Sequence, residues 1–142
     1  MVREKTIQWL KVASASFILF GLGVALAAHP ATALPMTLFT DLALWPFDGL
    51  QNLNTPEARI LSGVCGGILA GWGVMFWMLA AHGLRAAPLL TRKIMLASVT
   101  TWFVIDSTAS IAAGAPFNAI LNVPFLLAIV LPLWRPTSTV VA

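Results

Sequence analysis

The sequence predicts an all-α integral membrane protein: a four-helix bundle, N-in and C-in, with a short interfacial helix in the first outer loop. Composition is the first reason. Of the 142 residues, 59% are hydrophobic and 9% are charged, whereas soluble domains carry about 25% charged residues. The second reason is that long apolar stretches separate the few charges, with a mean hydropathy of +0.90. These values exclude a soluble domain and a disordered chain.

The gaps between charged residues set the expected positions of the spans. A helix that crosses a bilayer needs about 20 mostly apolar residues. The longest stretch, which follows Lys93, contains Asp106 as its one charge and is too long for a single helix. The turn signal Gly114-Ala115-Pro116 divides it. Within one membrane domain, residues 1–142, the predicted spans are about 12–29, 59–82, 94–113 and 117–134.

Lysine and arginine predict the orientation, because they concentrate in the cytoplasmic loops of membrane proteins. With the N-terminus inside, seven of the eight basic residues lie inside and Arg59 lies outside. The inside residues are Arg3, Lys5, Lys11, Arg85, Arg92, Lys93 and Arg135. We therefore expect a multi-pass protein of a bacterial inner membrane with both termini in the cytoplasm.

The first span has an alternative interpretation as a cleavable secretory signal. It combines a basic start and an apolar core with the small residues Ala31-Thr32-Ala33, which resemble a cleavage site. Its apolar run is longer than the usual run of about 7–15 residues in such signals. A retained helix is therefore favoured.

The outer loop, residues 30–58, carries apolar side chains at helical spacing: Leu34, Leu38, Leu42 and Trp45. This spacing predicts a short helix lying in the outer interface and ended by Pro46. The helix could be a lid over the mouth of the bundle or a connector at the headgroups, and the connector is favoured.

A glycine ridge is predicted on the second span. Gly63, Gly67 and Gly71 are each four residues apart, and such rows of small residues let helix backbones approach closely in membranes. The ridge could pack inside the bundle or against a second subunit.

A polar layer is predicted between the last two spans. Asp106 precedes Gly114 by as many residues as Asn122 follows it, and Ser110 and Asn118 are likewise equally spaced about that turn. In an antiparallel hairpin, equal distance from the turn means equal depth. With a rise of about 1.5 Å per residue, Asp106 and Asn122 lie near the middle of the bilayer. Ser107 is expected at the edge of the layer.

Arg59 is a further candidate member of this layer, because it is the outer basic residue and begins the second span. Its side chain could bend toward Asp106 or extend to the headgroups. The layer could hold the hairpin together, which is favoured, or form a proton or ligand site, because ionisable residues within spans are costly.

Prolines in the last span predict freed carbonyl groups. Pro124 and Pro132 lack an N–H, so the carbonyl oxygens of Ile120 and Ala128 lose their helical donors. A kink in this helix is expected.

Catalytic and cofactor chemistry is missing from the sequence. His29 and His82 fall at opposite ends of the bundle, about 30 Å apart, and cannot ligate one metal or haem. Cys65 is the single cysteine, so no internal disulfide forms. We find no phosphate-binding loop and no candidate nucleophile triad. We therefore expect no enzyme, no catalytic residue, no metal, no cofactor and no nucleic-acid partner.

The second span carries a family resemblance. The segment from Arg59 to Gly67 (RILSGVCGG), continuing to Gly71-Trp72-Gly73, resembles a segment of small bacterial four-helix membrane proteins of unknown function. The resemblance covers about residues 55–134 and includes the arginine before a glycine-rich helix and the short final hairpin. It implies a four-helix fold and no activity.

These observations favour a non-enzymatic function. The leading expectation is an accessory, scaffold or assembly subunit that packs through the glycine ridge. The alternative is a small transporter, or a protein that binds a lipophilic ligand or a proton through the Asp106 layer. The expected partners are the lipid bilayer and either further copies of this chain or a larger membrane complex.

Overall fold

The computed structural model describes residues 4–134, and this part of the chain is helical with no strand. The helices are α1 (Glu4–Leu26), α2 (Leu34–Leu44), α3 (Pro56–Met78), α4 (Leu84–Ala86), α5 (Pro88–Ala112) and α6 (Pro116–Leu133). A π-helical turn, Leu79–Gly83, joins α3 to α4, so one helical rod runs through Pro56–Ala86. The expectations for Arg3 and Arg135 lie outside the described residues.

Four helical segments are long and apolar enough to cross a membrane: α1, the rod from α3 to α4, α5 and α6. The predicted all-α class and the four long apolar helices are therefore confirmed. The helices begin earlier than predicted, because helical backbone continues through the charges that served as boundaries. Pro56, Pro88 and Pro116 each lie at the start of a helix, where a missing N–H costs nothing.

The four long helices form a bundle, and side chains from all four meet in one apolar core. Helix α1 packs along α3 and also contacts α6, while α5 packs along α6. Helices α3 and α5 come together where the π turn and α4 meet the start of α5. We call that side, with the start of α1, the terminal end, and the side of α2 and Gly114 the loop end. A cleft between α3 and α5 results.

The contact between α1 and α3, here the glycine seam, depends on three glycines. A Cβ on Gly21 would lie 2.8 Å from the carbonyl oxygen of Gly66, and a Cβ on Gly73 would lie 2.8 Å from the amide nitrogen of Ile18. Real side chains never approach a backbone so closely. The two helices therefore touch backbone to backbone.

The seam does not follow the predicted glycine ridge. A Cβ on Gly67 or Gly71 would meet nothing within 4 Å, and one on Gly63 would make ordinary contact with the Ala28 side chain. Helix α3 faces α1 with Gly66, which lies opposite Gly21, rather than with the adjacent Gly67. Gly67 and Gly71 point away from the described chain.

The hairpin of α5 and α6 turns at Gly114, whose φ of +81° strains any residue with a side chain. At the terminal end, Arg92 closes the hairpin, because its Nε donates to the Leu133 carbonyl at 2.7 Å. Cations at a helix C-terminus stabilise the exposed carbonyls there. Helix α6 runs unbroken through Pro124.

Trp9 donates a hydrogen bond to one of the carbonyl groups that the prolines of the last span were predicted to free. The indole Nε1 of Trp9 donates to the Ala128 carbonyl at 2.9 Å, which is the carbonyl that Pro132 leaves without a helical donor. This bond links α1 to α6.

Helix α2 crosses the loop end, and its helical character was predicted. The face with Leu34 and Leu38, respectively 66% and 46% exposed, points outward, while Met36 and Ala43 are buried. Asp41 is 1% exposed, and both of its carboxylate oxygens accept from the Gly49 N–H at 3.0–3.1 Å. This contact ties the loop after α2 back onto the helix.

Candidate functional site

Five polar side chains meet between α5 and α6, and we call them the polar cluster: Asp106, Ser107, Ser110, Asn118 and Asn122. The Asn118 Nδ2 donates to Asp106 Oδ2 at 3.0 Å and to Ser110 Oγ at 2.8 Å. The Asn122 Nδ2 donates to the same Asp106 oxygen and to Ser107 Oγ at 3.4 Å. The structure therefore brings together the residues that counting outward from Gly114 placed at equal depth.

The hydrogen bonds in the polar cluster join residues at equal depth and residues one helical turn apart in depth. Asn118 pairs with Ser110, as equal depth requires, and also reaches Asp106 one turn deeper. Each amide has two hydrogens and both are used. Asp106 Oδ2 is therefore held by two donors from α6, and its side chain has a fixed position on the helix.

Arg59 does not belong to the polar cluster. Its Nε donates to the Ala28 carbonyl at 2.8 Å, just beyond the C-terminus of α1, where the backbone carbonyls lack helical donors. Within residues 4–134, the one ion pair is that of Arg85 with Glu4, at 3.0 Å and exposed. The polar layer thus contains Asp106 without the cation that was considered for it.

A cavity of about 420 Å³ opens beside the cluster. This volume lies within the range of about 300–1,000 Å³ that small-molecule sites occupy. Three members of the polar cluster line it: Asp106, Asn118 and Asn122.

The remaining wall of the cavity is mostly apolar. Five of its aromatic side chains come from four helices: Phe17, Phe20, Phe39, Trp102 and Phe125. Phe17 packs against Trp102 and Phe125, with ring centroids 6.1 and 5.1 Å apart. These rings close the cavity toward the terminal end.

The loop end of the cavity is covered by α2 and the segment after it. Met36, Phe39 and Thr40 of α2 and Leu53 line that part of the wall. The Phe20 and Phe39 rings lie 5.0 Å apart edge to face. Helix α2 therefore covers the mouth of the bundle, the arrangement that the lid interpretation described.

One side of the cavity is open, at the cleft between α3 and α5. Leu61, Cys65 and Leu69 of α3 line the cavity, yet Leu61 is 60% exposed and Cys65 is also exposed. A side chain can line the cavity and also be exposed only where the cavity opens to the outer surface of the bundle. The opening lies beside the apolar helices, on the loop-end side of the contact between Trp72 and Trp102.

The polar residues of the site could be identified from the sequence, whereas the cavity could not. Trp102 and Asp106 are four residues apart on α5, so they share a face, and this pairing was a usable signal. The lining by α3 had no such signal, because it depends on the spacing between α3 and α5. Within residues 4–134, no three His, Cys, Asp or Glu side chains come together as metal ligands.

Comparison with known proteins adds no relative: no family model matches the chain, and no curated protein or solved structure is similar to it.

Proposed function

We propose that this protein binds one lipophilic or amphiphilic molecule inside its membrane domain and is not an enzyme. The observation that carries the proposal is the cavity of about 420 Å³, which combines aromatic walls with the carboxylate of Asp106. A concave, mostly apolar site with a few convergent polar groups is typical of small-molecule binding. The polar groups fix the orientation of the molecule, and the rings cover its apolar part.

The proposed setting is a bacterial inner membrane, N-in and C-in. The bias of basic residues toward the terminal end supports this orientation. In this orientation, α2 lies in the outer interface, where its exposed Leu34 and Leu38 contact the headgroup region. Helix α1 is retained in this proposal, and its burial of Leu10 and Phe17 in the bundle supports that choice.

The proposed route of the molecule is lateral, from the lipid. The cleft between α3 and α5 opens among apolar helices, while α2 covers the loop end. A hydrophobic molecule dissolved in the bilayer reaches this opening without crossing water. The expected occupants are therefore membrane-dissolved molecules rather than water-soluble solutes.

A native mass spectrum of the protein, extracted gently from its own membrane, tests the proposal. The expected result is a chain that carries one small molecule. In Cys65→Trp the added ring fills the cavity, so the molecule should be lost. The matched control is Ile68→Trp on the same helix, because Ile68 is 69% exposed and lies outside the cavity wall. Equal retention in both variants would contradict the proposal.

A second candidate function is the accessory subunit, and one observation favours it. A Cβ on Gly67 or Gly71 would meet nothing within 4 Å, so a helix of another chain could approach α3 there, as small residues allow in membranes. We expect Gly67→Leu to reduce the oligomeric mass if this face binds a second chain. Gly23→Leu is the control, because Gly23 is equally open on α1. An unchanged mass in both variants would contradict this candidate.

A further inference from the structure

We infer that the molecule in the cavity carries a primary ammonium group on an apolar chain. This inference rests on the proposed function and names the chemical class of the ligand. Three observations carry it: the hydrogen-bond groups that the polar cluster leaves over, the absence of a cation beside Asp106 in residues 4–134, and the aromatic walls.

The polar cluster offers acceptors to the cavity. The amide hydrogens of Asn118 and Asn122 are all used on Asp106 and the two serines. What remains is the second carboxylate oxygen, Asp106 Oδ1, and the carbonyl oxygens of the two asparagine side chains. Each of the three is an acceptor, and none accepts a side-chain donor from the described residues.

The hydroxyl groups on the wall do not supply the missing donors. Ser62 Oγ donates to the Ala58 carbonyl at 2.8 Å, and Thr40 Oγ1 donates to the Met36 carbonyl at 2.8 Å. Trp102 and Cys65 also line the cavity, and neither side chain donates a hydrogen bond to Asp106. The wall therefore has acceptors in excess, and a ligand rich in donors complements it.

The carboxylate of Asp106 also favours a ligand with a positive charge. Carboxylates within spans normally pair with a cation, and the basic side chains of the described chain have other partners or lie at the ends. Arg59 bonds to Ala28, Arg85 to Glu4 and Arg92 to Leu133. An ammonium group on the ligand would supply the positive charge from outside the chain.

A primary ammonium fits these demands better than other headgroups. It brings three N–H donors and one positive charge, and nearby aromatic faces attract cations. An alcohol brings one donor without charge, a trimethylammonium brings charge without donors, and a carboxylate adds a like charge. A bare metal ion would leave the aromatic walls unfilled.

Cys65 provides the assay, because it is the single cysteine and lies on the cavity wall. A molecule in the cavity should slow its alkylation by N-ethylmaleimide. We would measure this rate in phosphatidylcholine nanodiscs while titrating dodecylamine, dodecanol, dodecyltrimethylammonium or dodecanoate. Dodecylamine should protect at a concentration at least about tenfold lower than dodecanol, since ionic hydrogen bonds exceed neutral ones. Dodecyltrimethylammonium should protect less well than dodecylamine, and dodecanoate least.

Variants separate the cavity from general membrane effects. In Asp106→Asn, dodecylamine and dodecanol should protect within about twofold of each other, because the charge is gone. Glu57→Gln, which removes an exposed acid, should keep the difference of the native chain. A reporter moved to the lipid face, Cys65→Ser with Ile68→Cys, should show no dependence on the headgroup. If Asp106→Asn does not fold, the order of the four probes on the native chain decides alone.

The outcomes distinguish the two proposals. Equal protection by all four probes, or best protection by dodecanoate, would overturn the ammonium inference and leave the binding function standing. No protection by any probe would overturn both. Adding phosphatidylethanolamine to the nanodiscs separates two sources of a primary ammonium. Protection by that lipid would support the inference with a bilayer lipid as ligand, and protection by dodecylamine alone would support it with a single-chain amine.

Discussion

The two helix pairs of this bundle are held together by opposite means. Along the glycine seam between α1 and α3, Gly21, Gly66 and Gly73 bring the two backbones into contact, and Phe17 packs against Trp72 beside them. The α5–α6 hairpin instead places polar side chains between its helices, around Asp106. One contact depends on shape, and the other depends on hydrogen bonds.

The difference explains where the cavity lies. A seam of glycines has no polar group to spare and can hold helices at van der Waals distance, but it offers nothing to a ligand. A hydrogen-bonded hairpin keeps acceptor atoms at its surface. The cavity forms where the polar hairpin faces α3 across the cleft, and the molecule's chemistry is therefore concentrated on the α5–α6 side.

The largest expected effect is on the glycine seam. Gly66→Ala should lower the free energy of unfolding by about 2–3 kcal/mol, because the new methyl group would overlap the α1 backbone and overpacking costs about that much. Gly67→Ala is the matched control on the adjacent face and should be neutral or stabilising by up to about 1 kcal/mol. Unfolding in mixed micelles with increasing dodecyl sulfate measures both. Equal effects would show that the seam does not depend on close approach.

A smaller effect is expected in the hairpin. Asp106→Ala removes the shared acceptor of Asn118 and Asn122 and should cost about 1 kcal/mol, since hydrogen bonds between membrane helices average about 0.6 kcal/mol each. Asp106→Asn keeps a carbonyl acceptor and should cost less than half as much. The same unfolding titration applies. A loss from Asp106→Ala as large as that from Gly66→Ala would remove the distinction between the two contacts.

The smallest effect is expected at the hydrogen bond between Trp9 and Ala128, which links α1 of one helix pair to α6 of the other. Trp9→Phe removes the donor to the Ala128 carbonyl and should cost about 0.5–1 kcal/mol. In a Pro132→Ala background, residue 132 regains an N–H for that carbonyl, so the same change should cost close to nothing. A double-mutant cycle measures this coupling. Identical costs in both backgrounds would mean that the indole contributes through packing alone.

The spans could be predicted from the sequence because composition dominates the free energy of placing a helix in a membrane. The polar cluster could be predicted for a different reason. Gly114 fixes the turn, and a short antiparallel hairpin then places Asp106 and Asn122 at one depth. Both inferences use only local distances along the chain.

The glycine seam and the partner of Arg59 could not be predicted in this way. Helix α3 has glycines on more than one face, and Gly21 of α1 selects Gly66 over Gly67. Arg59 bonds to the Ala28 carbonyl because α1 ends there, which its own neighbours in the sequence do not reveal. The cavity depends on how far α3 and α5 separate beyond the contact of Trp72 with Trp102, so it needed the three-dimensional structure.

The most direct test of a ligand cavity beside Asp106 is a crystal structure grown from a lipid phase that contains a terminally brominated dodecylamine. We predict an ammonium nitrogen within hydrogen-bond distance of Asp106 Oδ1. We also predict an anomalous bromine signal along the cleft between α3 and α5. A cleft closed by direct contact of these helices beside Cys65 and Asp106, or filled there by a helix of a neighbouring copy, would contradict the proposed ligand cavity.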